Sequence, residues 1–303
     1  MGTTGVFVLS FDCEMLWGCH HIGGLAAFPY LRDCRATYRR LLDVLRRYEI
    51  PATFAFVGGI ALSPEEFDRR VAEFSPAYRA WTSRARDAAG SLSSVLFDPS
   101  LIEAVARDPL QHEIGAHGFT HRCFTDMRAS DAERDFAAAA AALRPYSARI
   151  TSFVFPENRC AHIDVLAKSP FTLYRSSERR WYSGYAGPYA RLGHYVDQAL
   201  AVTPPLATID RHQRPAVISD SLMLFTHRGV RKFIPGAVRR KKAQRGLDDA
   251  IRRGGVFHLW MHPWELGHTP KSFDVLDSIL ATVAIARAAG QIDVRTMAQA
   301  AFG

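Results

Sequence analysis

The chain has 303 residues, 48% of them hydrophobic and 22% charged, with a formal net charge of +8. Length and composition admit one large globular α/β domain or two small ones, and no apolar run reaches the roughly eighteen residues of a membrane span. The five cysteines are odd in number and scattered, which excludes a disulfide framework.

Strand-like and helix-like runs alternate along the chain. Residues 6–11 form a continuous apolar run that reads as a first core strand rather than an export signal, since no basic segment precedes it. Residues 33–48 are helical, with Leu41, Leu42, Leu45 and Tyr48 at three- and four-residue spacings. A second strand over 52–57 stops at Gly58-Gly59, and Ser63-Pro64-Glu65-Glu66 opens a helix with a capping box. Residues 75–97 are polar and read as an insertion or lid. A short helix near 99–108 leads into a third strand over 112–117. Ser130-Asp131-Ala132-Glu133 is a second capping box, opening a helix to about Leu143. Strands follow at 151–155 and 171–175. Residues 178–215, rich in Tyr, Pro, Gly and Arg, read as a long surface excursion. A sixth strand over 216–225, a basic helix to about Arg253, a seventh strand over 256–260, a helix near 272–289 and an eighth strand over 292–294 complete the pattern. This alternation predicts a parallel sheet, open or closed into a barrel, in one domain over 1–303.

The residues with chemistry fall just after strands. Asp12 and Glu14 follow the first, His117 and His121 the third, His262 the seventh. Barrel enzymes keep their sites at such C-terminal strand ends. Two carboxylates and two imidazoles suit a divalent metal such as zinc, with one carboxylate left to take a proton. His117 and His121 are four apart and would share one face of a helical turn, although an isolated pair of this kind is also read as two unrelated histidines. Glu113 is available to accept from an imidazole N–H. Asp12 also admits a reading as a helix cap beside a surface Glu14. Cys13 and Cys123 read as small buried spacers or as thiolate ligands. His258 lies inside an apolar run and reads as a satisfied core histidine. His262, at the strand end between tryptophans, can serve as a general acid.

Together these blocks resemble the polysaccharide deacetylase family, also called the NodB-homology domain or carbohydrate esterase family four. Ser10-Phe11-Asp12-Cys13-Glu14 resembles its first motif, His117-x-x-x-His121 its second and Leu259-x-x-His262 its last. The resemblance implies a distorted (β/α) barrel of about seven parallel strands, with excursions near 75–97 and 178–215. It also implies a divalent metal, commonly zinc, and removal of an N-acyl group from an amino sugar. Asp12 then resembles the general base, Glu14, His117 and His121 the metal ligands, and His262 the general acid. Glu14 stands where the family usually has Asp. Val154 stands where the family has the Arg that braces the base, with Arg159 and Arg175 as candidate replacements. Pro156, Glu157, Asn158, Arg159, Arg175 and Trp260 are candidate substrate contacts, and Glu157 reads equally as a solvated loop acid.

The expectation is a cytoplasmic metal-dependent hydrolase releasing acetyl or formyl from an N-acylated amino sugar or related small amide. Absence of an export signal favours a biosynthetic intermediate, nucleotide- or lipid-diphosphate-linked. The alternative is an impaired barrel that binds a sugar or anionic ligand without turnover. The basic stretch 228–245 reads as a solvated helix face or as a patch for phosphates or acidic lipid headgroups, giving peripheral membrane contact. No nucleic-acid motif is found. Trp181, Tyr182, Tyr185 and Tyr189 read as groove lining or as loop anchors.

Overall fold

The structure is a computed structural model that describes residues 4–225 and 229–303. Arg228, at the head of the basic stretch, lies outside the described residues. Among those described, no helix is long and apolar enough to cross a membrane.

Ten strands form one curled sheet. They are β1 (Gly5–Cys13), β2 (Thr53–Phe56), β3 (Glu113–Ala116), β4 (Ser152–Val154), β5 (Leu173–Ser177), β6 (Ile209–Asp210), β7 (Ala216–Asp220), β8 (Leu222–Met223), β9 (Val256–Met261) and β10 (Ile292–Arg295). Their order is β6-β7-β5-β4-β3-β2-β1-β9-β8, with β10 on the lower half of β1. All pairs are parallel except β6 with β7. The strand expected over 216–225 is thus two strands broken at Ser221. Its first half pairs with β5 and its second with β9, so one segment joins both margins of the sheet. This is the expected distorted barrel, and it makes β1 and β9 direct neighbours.

Strand periodicity sorts the side chains. Along β1, Phe7, Leu9, Phe11 and Cys13 join the large core between sheet and helices. Val8 faces the other way and meets Ala55, Val154, Leu173, Ala216 and Ile218 inside the barrel. Met297, Ala300 and Ala301 of the terminal helix Met297–Phe302, which the sequence pattern does not reveal, plug the lower end. Glu113 belongs to this end. Its carboxylate accepts from Thr53 Oγ1 at 2.7 Å, from Ser152 Oγ and from Ala298 N at 3.0 Å. It stands at the start of β3, while the histidine loop leaves its far end, about 13 Å away at ~3.3 Å per residue. The expectation that Glu113 supports an imidazole is therefore wrong.

Three further expectations are corrected, those for residues 75–97, for the Ser130 cap and for the basic helix. Residues 75–97 are no irregular lid. They contain the helix Pro76–Ala89, whose Tyr78, Thr82, Ala85 and Ala89 are buried. Its signal is weak because those inward residues are small or polar. Ser75 caps it by accepting from Tyr78 N and itself donates to Asp131. Asp131 is thereby spent across the fold, and the helix Ala129–Leu143 begins without a side-chain cap. The excursion 178–215 contains the helix Gly187–Ala199, held by a buried pair between Lys242 Nζ and Asp197 Oδ2 at 2.7 Å. Lys242 and Arg239 are buried, so the basic helix Gly236–Arg253 is no uniformly solvated face.

Candidate active site

The upper end of the barrel gathers the residues that the motifs separate. Asp12 is on β1, pointing inward. Beside it, on β5, lies Arg175, fully buried. The guanidinium donates to Asp12 twice, Nη1 to Oδ1 at 2.7 Å and Nη2 to Oδ2 at 2.6 Å. It also donates to Asn158 Oδ1 (3.0 Å) and Ser10 Oγ (3.2 Å). Such a bidentate fork fixes a carboxylate in position as well as in charge. Burial alone would raise the Asp12 pKa; the charge of Arg175 and its hydrogen bonds outweigh that and hold it below the ordinary value.

Arg175 therefore takes the place of the family's bracing arginine. It is laterally paired with Val154 across β4 and β5. Neighbouring paired residues face the same side of a sheet, so moving the arginine one strand sideways keeps its head near Asp12. Arg159 has no part in this bracing. It is on the surface, 3.1 Å from Asp126 Oδ1. Trp260 is buried beneath the guanidinium, its ring 4.2 Å from the Arg175 Cζ, and its Nε1 donates to Asp220 Oδ2 at 2.6 Å. Its contacts make it a support for Arg175. His258 is the satisfied core histidine expected, with Nε2 2.8 Å from Ser10 Oγ and Nδ1 2.9 Å from the Ser219 carbonyl.

The other carboxylate turns away from the strand. Glu14 follows β1, and Met15 enters the left-handed region at φ +48°. A Cβ at Gly18 would overlap the Glu14 carboxylate, so the absence of a side chain there provides room for the extra methylene. Glu14 Oε2 lies 2.7 Å from His121 Nε2 and 3.5 Å from His117 Nε2. The two histidines are not on a helical turn. They lie in a loop bent by Gly118 (φ +74°) and His121 itself (φ +59°).

That loop is braced from behind. Asp135 accepts from Phe119 N at 2.7 Å and from Tyr78 Oη, Thr120 Oγ1 donates to Tyr78 Oη at 2.8 Å, and Trp81 Nε1 donates to the Thr120 carbonyl at 3.0 Å. Sequence reasoning misses all these supports; the Ser75-Pro76 helix start is the available signal. Burial raises the Asp135 carboxyl to about 7.

Glu14, His117 and His121 are buried and offer ligand atoms within 4.8 Å of one another, among the described residues the one such group of His, Cys, Asp or Glu. His117 Nδ1–H donates to the Val154 carbonyl at 2.8 Å, which leaves the Nε2 lone pair turned to the cluster. That buried Nε2 has no hydrogen-bond partner. A donor set of one carboxylate and two imidazoles with an orphaned lone pair fits a divalent cation with an open coordination position. No cysteine joins it; Cys13 and Cys123 are buried thiols.

His262 completes the ring. Its Nδ1 donates to Glu265 Oε2 at 3.1 Å, and its Nε2 lies 3.5 Å from Glu14 Oε1. Burial would lower its pKa, but Glu14 and Glu265 reverse that and raise it to about 9. Glu265, three residues on, carries no signal in the sequence pattern. On the opposite rim Pro156 is buried, while Glu157 is 43% exposed with Oε1 3.4 Å from His21 Nε2. Glu157 is thus a paired rim acid, held near about 2 chiefly by the hydrogen bond from His21. Trp181 and Tyr182 bond within their own excursion, to Asp197 and His194.

No curated protein sequence matches the chain. Solved structures do. A putative polysaccharide deacetylase from Mycobacterium smegmatis superposes with a TM-score of 0.61 at 16% identity, over 99% of this chain and 90% of the other. A probable polysaccharide deacetylase from Pseudomonas aeruginosa PAO1 gives 0.60 at 13% identity, over 96% and 87%. Puue allantoinase gives 0.62 at 12% identity, over 96% and 87%. At these identities the likeness is one of fold. The family model for polysaccharide deacetylase matches residues 8–162, just over half of the chain. The protein belongs to the polysaccharide deacetylase family, whose members are hydrolases acting on acyl groups of acetylated carbohydrates and generally use a divalent metal.

Proposed function

We propose that the protein is a metal-dependent N-deacylase that removes an acetyl or formyl group from an amino sugar or a related small amide, with zinc as its ion. The observation that carries this is the pairing of Asp12 with Arg175 beside the Glu14, His117 and His121 cluster. A divalent cation held by those three side chains would supply Lewis-acid polarisation of a water and of the acyl carbonyl.

The remaining chemistry falls to this chain's own groups. Asp12, kept ionised by Arg175, accepts the proton of the attacking water. Asn158, Ser10 and Trp260 keep the guanidinium in place. His262, held by Glu265, whose charge favours the protonated ring, donates a proton to the departing amine. The missing arginine motivates the binding-only alternative, and Arg175 removes that motive.

The substrate of this reading is a cytoplasmic biosynthetic intermediate, nucleotide- or lipid-diphosphate-linked. The net charge of +8 favours a phosphate-bearing molecule. Fold alone does not select polymer over small molecule, since one neighbour is named a polysaccharide deacetylase and another an allantoinase. The test is acetate or formate release by zinc-loaded protein from N-acetyl and N-formyl amino sugars, free, nucleotide-linked and lipid-diphosphate-linked. Turnover of a linked sugar is expected. One equivalent of bound zinc without release from any of them would favour the binding-only reading.

A further inference from the structure

We propose that residues 179–200, together with 229–241, form a docking face for an anionic lipid bilayer. Eight large apolar side chains are exposed among the described residues, and six of them lie here: Trp181, Tyr185, Tyr189, Leu192, Leu200 and Phe233, each 53–73% exposed. Tyr189 and Leu192 are three apart on the helix Gly187–Ala199 and share a face. That helix packs against both the turn Gly229–Phe233 and the helix Gly236–Arg253.

The charge of this region is one-sided. Across 179–200 and 229–247 the sequence holds a single carboxylate, Asp197, and it is buried in its pair with Lys242. The basic residues are not equivalent, and Arg180 and Arg245 are engaged by Asp220 and by the Leu200 and Ala201 carbonyls. Lys242 and Arg239 turn inward, Lys242 to Asp197 and to the Val202 carbonyl (2.8 Å), Arg239 to the Leu224 and Arg231 carbonyls (both 2.9 Å). Lys242 thereby staples the excursion to the helix Gly236–Arg253, and Arg239 holds the segment that precedes that helix. Arg179, Arg191, Lys232 and Lys241 are exposed.

A face of exposed aromatics and leucines, with cations and, within 179–200 and 229–247, no carboxylate outside the buried Asp197 pair, has the chemistry of the interfacial zone of an anionic membrane. The rings and aliphatic groups enter the acyl boundary, and Arg and Lys reach the headgroups along their own stems. Leu192, Leu200 and Phe233 offer nothing to a ribose–phosphate backbone, which disfavours nucleic acid. A second copy of this face would set like charge against like.

The root of the face reaches the site. Asp220 accepts from Glu178 N (3.0 Å) and Arg180 Nη2 (3.3 Å) on one side, and from Trp260 Nε1 on the other; Trp260 lies under Arg175. A membrane-seated protein would then present its catalytic end near the headgroups. This goes beyond the proposed chemistry and does not rest on it, since vesicle binding requires no turnover.

The test is co-sedimentation of the full, zinc-loaded chain with equimolar phosphatidylglycerol–phosphatidylcholine vesicles and with phosphatidylcholine alone. Retention on the anionic vesicles is expected, weakening as salt rises. Leu192→Ser with Phe233→Ser, and separately Lys232→Glu with Lys241→Glu, should each weaken it by about tenfold or more, with the thermal midpoint unchanged. Equal partition to both vesicles, or binding indifferent to both pairs of substitutions, would overturn the proposal. So would loss of RNA binding or of dimerisation in these variants without any vesicle binding in the parent.

Discussion

Asp12 and Glu14 are separated by one residue, yet the barrel holds them by different means. Asp12 is still on β1, its partner Arg175 is on β5, and Ser10, which accepts from the same guanidinium, is again on β1, so all three are placed by strands. Glu14 lies past the strand, where Met15, Gly118 and His121 all take positive φ. The Asp12 side is therefore set by the sheet, and buried charge pairing makes it stiff. The cation side is set by loops, and it depends on a separate helix, Pro76–Ala89, to hold them. Strand register can place a proton acceptor without help, whereas three ligands from two loops need a brace.

Breaking the sheet-built side should have the largest effect. Arg175→Met leaves the buried Asp12 carboxylate unpaired, at a cost of about 3–5 kcal/mol in stability, and should lower acyl release by roughly 10²–10⁴-fold, the worth of a general base. The double variant Val154→Arg, Arg175→Val returns the arginine to the neighbouring strand at the same level. Recovery of part of the lost activity and stability, read by product release and thermal melting, would sharpen the register argument. No recovery would break it.

On the loop-built side, Glu14→Gln should weaken zinc affinity beyond the about 10–100-fold that loss of an outer partner costs, with little change in stability. Tyr78→Phe touches no ligand, but it removes a donor to Asp135 and should weaken zinc affinity by about tenfold. Competition with a chromophoric chelator measures both. A Tyr78→Phe protein with unaltered affinity would show that the helix does not support the ligand loop.

A separate effect is a pH dependence in stability. Asp135 titrates near about 7 in the fold and near about 4 in an unfolded chain. The folded protein therefore binds this proton more tightly. Its contribution is complete below about pH 4 and is lost as pH rises through 7. Asp135→Asn should flatten that slope in denaturant titrations across the same window; an unchanged slope would assign it to other groups.

What is legible in the sequence follows the same division. Asp12, Glu14, His117, His121 and His262 can be read because each stands just past an apolar run that marks a strand end. Arg175 can be named only as one of two replacements, because its pairing with Val154 on the neighbouring strand and its meeting with Asp12 across the barrel are relations between strands that periodicity does not encode. The helix Pro76–Ala89 reads as a lid because its inward face is Tyr78, Thr82, Ala85 and Ala89, too polar and small to give an apolar stripe. Glu113 is misplaced because nearness to His117 in sequence becomes separation in space along an extended strand.

The most direct measurement pairs zinc stoichiometry with hydrolysis in Asp12→Asn. The substitution nearly preserves the shape of a side chain that is no part of the Glu14, His117 and His121 group. If Asp12 is the base, one equivalent of zinc binds as in the parent, and acetate or formate release falls by roughly 10²-fold or more. Full hydrolysis with zinc bound would contradict that role.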